Sequence, residues 1–222
     1  MINNNTTETM KNDIPNSVEI IDAHLDDFFT DEDDIVVFDE IESEIIHRDI
    51  YFIKAVDDRP YHILLSCGMS ALPMNVPSDV ESSEFAEVMI LLPKEWNLSS
   101  KSFNDERNYW PIRLMKELMM LPHAGETWLG VGHTYGHEED EELAPGIGFN
   151  SVMLASSMEL SDDFTQISLE NNDVIDMYTL IPLYKEELEF KKRYGANKLL
   201  EKLDRFGIGE IVKVGRKNVG NI

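Results

Sequence analysis

The chain has 222 residues, with 43 Asp and Glu against 19 Lys and Arg, for a formal net charge of −24. A hydrophobic content of 42% excludes wholesale disorder, and no apolar run approaches the ~20 residues of a membrane span. A single cysteine, Cys67, excludes a disulfide framework or a multi-cysteine zinc site and points to a reducing compartment.

Residues 1–16 are rich in Asn and Thr, lack periodic hydrophobics and are expected to be a flexible tail, with no secretory or transit character. From Ser17, an expected N-cap, the spacing Val18, Ile21, Leu25 and Phe28 predicts a helix. Ile35–Phe38 and Ile45–Val56 are β-branched and aromatic and predict strands; 57–60 is a turn, and Tyr61–Ser66 a third strand. Gly68–Pro77 carries two prolines and a glycine and is expected to be a loop, followed by a buried strand at Phe85–Leu92. A helix is predicted over Tyr109–Leu121, with Trp110, Leu114, Leu118 and Leu121 on one face about 80° wide, Pro111 in its first turn and Pro122 ending it. Strands are then expected at Thr127–His133, Ser151–Ser156, Phe164–Leu169 and Val174–Ile181. Pro182 is placed to open a helix, and Gly195 separates it from a last helix with Leu199, Leu200, Leu203 and Phe206 in one stripe. Residues 207–222 hold four glycines and are expected to be a flexible or loosely docked end. No repeat or linker divides the middle. The expected fold is α+β: one domain over 17–206 with a mixed, mostly antiparallel sheet flanked by helices.

The charge is unevenly spread. Residues 1–182 hold nine basic residues and 37 acids, a net of −28, whereas 183–222 hold ten and six, a net of +4. Two clusters stand out, Asp31-Glu32-Asp33-Asp34 and Glu138-Glu139-Asp140-Glu141-Glu142, both expected in solvated loops. A surface of this sign repels phosphate backbones and anionic membranes and attracts a basic protein, so neither nucleic acid nor a membrane is an expected partner.

Recognisable catalytic constellations are missing. His133 and His137, with His123 nearby, suggest zinc, but Gly130, Gly132 and Gly136 argue against a helix. On an extended strand the rings of His133 and His137 would stand ~13 Å apart, too far for one ion. Cys67 ends an apolar strand without a neighbouring cation to stabilise a thiolate. Neither GxGxxG nor GxxxxGK[ST] occurs, and the Asp31–Asp34 run lacks the glycine and terminal glutamate of an EF-hand loop. The chain is therefore not expected to be an enzyme, nor to carry a cofactor or metal.

Five blocks are familiar in order: Ser66-Cys67-Gly68-Met69-Ser70 with Pro73-Met74; Trp110-Pro111-Ile112-Arg113-Leu114-Met115-Lys116-Glu117-Leu118; Thr127-Trp128-Leu129-Gly130-Val131-Gly132-His133-Thr134; Pro182-Leu183-Tyr184-Lys185-Glu186-Glu187-Leu188; and Gly195-Ala196. Together, over roughly residues 60–206, they resemble the Suppressor of fused domain family in its bacterial form. The resemblance implies a protein-binding module. The eukaryotic member restrains transcription factors by binding them, and bacterial relatives include immunity proteins that silence a toxin domain, often a nuclease. The expected function is thus a cytoplasmic antitoxin that binds a cognate basic toxin protein. Its contact surface is expected at Asp31, Glu32, Asp33, Asp34, Glu138, Glu139, Asp140, Glu141 and Glu142, with Phe149, Trp96 or Tyr135 as apolar anchor. The alternatives are a metal-dependent hydrolase using His123, His133 and His137, and an intracellular scaffold without a toxin.

Overall fold

The computed structural model describes residues 17–30, 34–38, 45–136 and 141–222. The tail at 1–16, Asp31 to Asp33 and the stretch 137–140 therefore lie outside the described residues. Helix α1 (Ser17–Phe28) buries Ile21 and Leu25, one turn apart, as its spacing requires. Ser17, expected as the cap, is instead the first helical residue.

Among the described residues eight strands follow: β1 (Ile35–Phe38), β2 (Asp49–Ile53), β3 (Tyr61–Cys67), β4 (Phe85–Pro93), β5 (Thr134–Gly136), β6 (Ser151–Ala155), β7 (Gln166–Ser168) and β8 (Val174–Leu183). The other helices are α2 (Glu106–Ala124), α3 (Asp162–Thr165), α4 (Lys185–Tyr194) and α5 (Ala196–Arg205). All the strands join one sheet in the order β1-β2-β3-β4-β8-β6-β5, with β7 pairing on β8. Every pairing is antiparallel except β4 with β8, which is parallel, so the sheet is mixed and mostly antiparallel as expected.

β4 and β8 are long apolar runs because both faces of the sheet are covered there. Ala86, Val88, Ile90 and Leu92 face one way and pack in a cluster with Trp110, Leu114, Met115 and Leu118 of α2. Met89 and Leu91 face the other way, with Ile21 and Leu25 of α1 and Phe164 of α3. Further along that face, Met153, Ile181 and Leu183 pack with Leu199 and Leu203 of α5. The chain is a single three-layer α+β domain.

Several elements differ from expectation. The predicted strand at 45–56 shrinks to β2, with Ile45 47% exposed and the chain turning back through paired Val56 and Arg59. Thr127–His133 is not a strand: Gly132 has a φ of 84°, and the His133 N–H donates to the Gly130 carbonyl in a turn, so β5 is only three residues long, although Gly132 and His133 still bond Leu154 of β6 through their backbones. Phe164–Leu169 divides into α3 and β7. Pro111 lies inside α2, which starts at Glu106, and Pro122 lies in its last turn rather than ending it. Pro182 belongs to β8 opposite Val152. Its carbonyl points to Arg216, away from β6, and its nitrogen shares that direction, so no ladder bond is lost.

Residues 207–222 hold neither helix nor strand, yet Glu210, Val212 and Val219 are buried. The Val212 N–H donates to the Leu91 carbonyl at 2.8 Å, which ties the segment to the end of β4.

Candidate protein-binding surface

Of the nine acids expected at an interface, Asp34, Glu141 and Glu142 are described, and all are exposed. Asp34 enters β1 and is ion-paired with Lys54. Glu142 accepts a hydrogen bond from the Gly146 N–H at 2.6 Å, so its carboxylate also shapes a turn. Asp31, Glu32, Asp33, Glu138, Glu139 and Asp140 lie outside the described residues. The strand order places β1 and β5 at opposite edges, six strand spacings or roughly 29 Å apart. Asp34 directly precedes the one strand and Glu141 lies a few residues beyond the other, so these two described acids belong to opposite edges of the sheet.

Beside Glu142 opens a cleft of about 760 Å³, lined by Gly146, Ile147, Trp96 and Val212 with Glu95, Arg107 and Lys213 at its polar parts. Four separate stretches of chain build it. Trp96 is fixed there by its indole N–H, which donates to the Asn108 carbonyl at 3.1 Å, and by an edge-on contact with Trp110. Arg107 is held by Asp105 at 2.7 Å. Of the other two anchor candidates, Phe149 is fully buried under Tyr184 and Arg216 and cannot meet a partner. Tyr135 is half-buried, with its hydroxyl donating to Glu117, and burial pushes its phenol above the usual value.

The blocks that carry the family resemblance prove to be architecture, organised around buried carboxylates that the sequence did not single out. Glu87, fully buried in β4, collects the hydroxyls of Ser66 and Ser70 and the N–H groups of Gly68 and Ser70 at 2.5–3.0 Å. Burial raises its carboxyl despite these four donors. Gly68, at φ 123°, lies so close to His47 that an added Cβ would meet that carbonyl oxygen at 2.1 Å. Glu187, also fully buried, takes both Arg216 guanidinium nitrogens at 2.6 and 2.7 Å and the N–H groups of Val219 and Tyr184. Glu210 accepts from Ser157 and from the N–H groups of Met158 and Glu159. Each of the three pins a loop by satisfying its backbone donors.

His123 and His133 each have a partner of their own. His123 bonds the Met69 carbonyl at 3.0 Å, whereas His133 packs on the Trp128 ring, and burial holds both imidazoles below the ordinary histidine value. His137 lies outside the described residues, and among the described residues no three His, Cys, Asp or Glu stand close enough to share a metal ion. Cys67 is fully buried, and burial pushes its thiol up, against nucleophilic use. No helix among the described residues is long and apolar enough to cross a membrane.

The fold has known counterparts. It is similar to a SUFU homologue from Neisseria gonorrhoeae FA 1090, at 14% identity and a TM-score of 0.64 over 91% of this chain and 96% of that one. It is also similar to a chain of a Sufu–Fu complex, at 16% identity and a TM-score of 0.65 over 93% of each. Suppressor of Fused from Drosophila matches at 14% identity and a TM-score of 0.61 over 93% of this chain but 51% of that one. No curated protein matches the chain. The family model described as Suppressor of fused protein (SUFU) matches residues 45–217, and the chain belongs to that family.

Proposed function

We infer that the chain is a protein-binding module that captures a basic protein, and that its partner is a cognate toxin domain which it neutralises in the cytoplasm as an immunity protein. The observation that carries this is an apolar cleft that opens beside the exposed Glu142. Glu142 bonds Gly146, and Gly146 lines the cleft that holds Trp96. A basic partner would be steered by the carboxylates of Glu138 to Glu142 and retained by an apolar side chain seated on Trp96. A nuclease toxin, whose working surface must be basic to bind a polyanion, suits a binder with a net charge of −24. That a Sufu chain is known in complex with Fu supports binding of a protein partner by this fold. Asp31 to Asp34 would meet a separate part of the partner, since Asp34 lies at the opposite edge of the sheet.

The test is a salt series of association rates against the product of the neighbouring gene, which on this reading carries a basic C-terminal domain. Joint Glu141→Lys and Glu142→Lys substitution should slow association about tenfold at low salt and flatten its salt dependence. Trp96→Ala should leave the association rate alone and speed dissociation about tenfold or more. Unchanged rates in both variants would refute this surface, and a neighbouring gene product that does not bind would refute the toxin assignment.

A further inference from the structure

We propose that the outer edge of β1 is a second docking site, at which an extended segment of a basic partner protein adds as a further strand of the sheet. The inference rests on the reading of the chain as a binder of basic proteins and names a place and mode of contact for it. The Lys54 N–H donates to the Asp34 carbonyl, so Asp34 and Lys54 are a bonded pair of the antiparallel ladder. With the register Val36 to Phe52 and Phe38 to Ile50, the alternate residues Ile35 and Val37 turn their N–H and C=O groups away from β2. Among the described residues β1 pairs with β2 alone. Its edge therefore presents backbone donors and acceptors beside exposed apolar side chains, Val36 at 36% and Val37 at 43%.

The sequence around this edge selects its occupant. Ile35-Val36-Val37-Phe38 has high strand propensity, and residues 31–44 that contain it hold eight acids and no lysine or arginine. Pairing of β1 with β1 of a second copy would bring two such acidic stretches together, and like charges across a ladder repel. An incoming strand flanked by Lys or Arg meets the opposite situation: it satisfies the Ile35 and Val37 backbone groups and carries charge opposite to that of the sequence adjoining them. The same acids that bar self-association thus admit a basic segment.

The full chain, isotopically labelled, is titrated with a synthetic peptide of alternating valine and threonine bearing a lysine pair at each end. The expected result is slowed exchange of the Ile35 and Val37 amides, resonance shifts confined to 34–38 and 49–53, and affinity that falls as salt rises. Val37→Pro removes an outward N–H while sparing the ladder to β2, and should weaken the peptide about tenfold or more with the circular dichroism spectrum unchanged. A peptide N-methylated at its pairing positions should lose affinity to the same extent and needs no change to the protein. Shifts that spare 35–37, equal binding of the methylated peptide, no binding at low salt, or a dimer that Val37→Pro dissociates would each overturn the proposal. Failure of the wider reading shows separately, as salt-independent capture of the basic domain by the unaltered chain.

Discussion

Arg216→Met is expected to destabilise the protein by about 3–5 kcal/mol, a large share of the ~5–15 kcal/mol typical of a domain. The guanidinium is 7% exposed, and the Glu187 carboxylate facing it is fully buried. Removing the cation strands a carboxylate where water cannot reach it. The loss also reaches beyond the pair. Arg216 donates to the Pro182 carbonyl and lies over the rings of Phe149 and Tyr184, so it joins the end of β8, the start of α4 and the last segment of the chain. Glu187 holds the Val219 N–H on that same segment. Adding Glu187→Leu to Arg216→Met should recover much of the loss, because an apolar pair requires no compensating charge. Urea unfolding midpoints of the two variants and the parent test this. A single variant within about 1 kcal/mol of the parent would show that the pair contributes little.

Glu87 separates two effects that one substitution would confuse. Glu87→Leu leaves two backbone N–H groups and two hydroxyls without their acceptor, which should cost about 3 kcal/mol or more. Glu87→Gln keeps a carbonyl oxygen for the Gly68 and Ser70 donors and turns its amide toward the Ser66 hydroxyl, so its cost near neutral pH should stay within about 1 kcal/mol. The two curves should also diverge with pH. Burial raises the native carboxyl above its unfolded value. As pH climbs past about 4.3, the unfolded chain releases this proton before the native one does. The stabilising contribution of Glu87 is therefore full below that point and is lost as pH rises through the native value. The glutamine variant has no such loss, so its stability relative to the parent should improve with pH. Parallel unfolding midpoints across a pH series would count against this account.

The elements legible in the sequence were those whose burial is periodic. The Ile21–Leu25 stripe, the Leu199–Leu203 stripe and the apolar run of β4 each announce the face they cover. Elements fixed by tertiary pairing were not legible. Nothing local says that Thr127–His133 turns instead of extending, or that Pro182 sits in a strand with its carbonyl turned to Arg216 rather than to another strand. The buried glutamates were hidden by number, since three acids among 43 draw no notice. Glu87 did leave a trace: it is the sole charge in the run Phe85–Pro93, where an ionisable side chain must find donors. Glu187 left none, because Arg216 reaches it from 29 residues away. The cleft at Trp96 was equally silent, being assembled from four distant stretches, and only the half-buried tryptophan itself hinted at it.

The parallel join of β4 to β8 has a consequence for how the molecule is made. The two strands are separated by roughly 80 residues, so the sheet's centre is completed by one of its most distant contacts. At a synthesis rate of about 5–20 residues per second, β4 waits some 4–16 s on the ribosome for its neighbour, with an apolar flank uncovered. During that interval the nascent chain depends on chaperones or on its own negative charge to stay apart from its copies. Only finished molecules hold a complete sheet, so whatever the protein binds is met by completed chains alone.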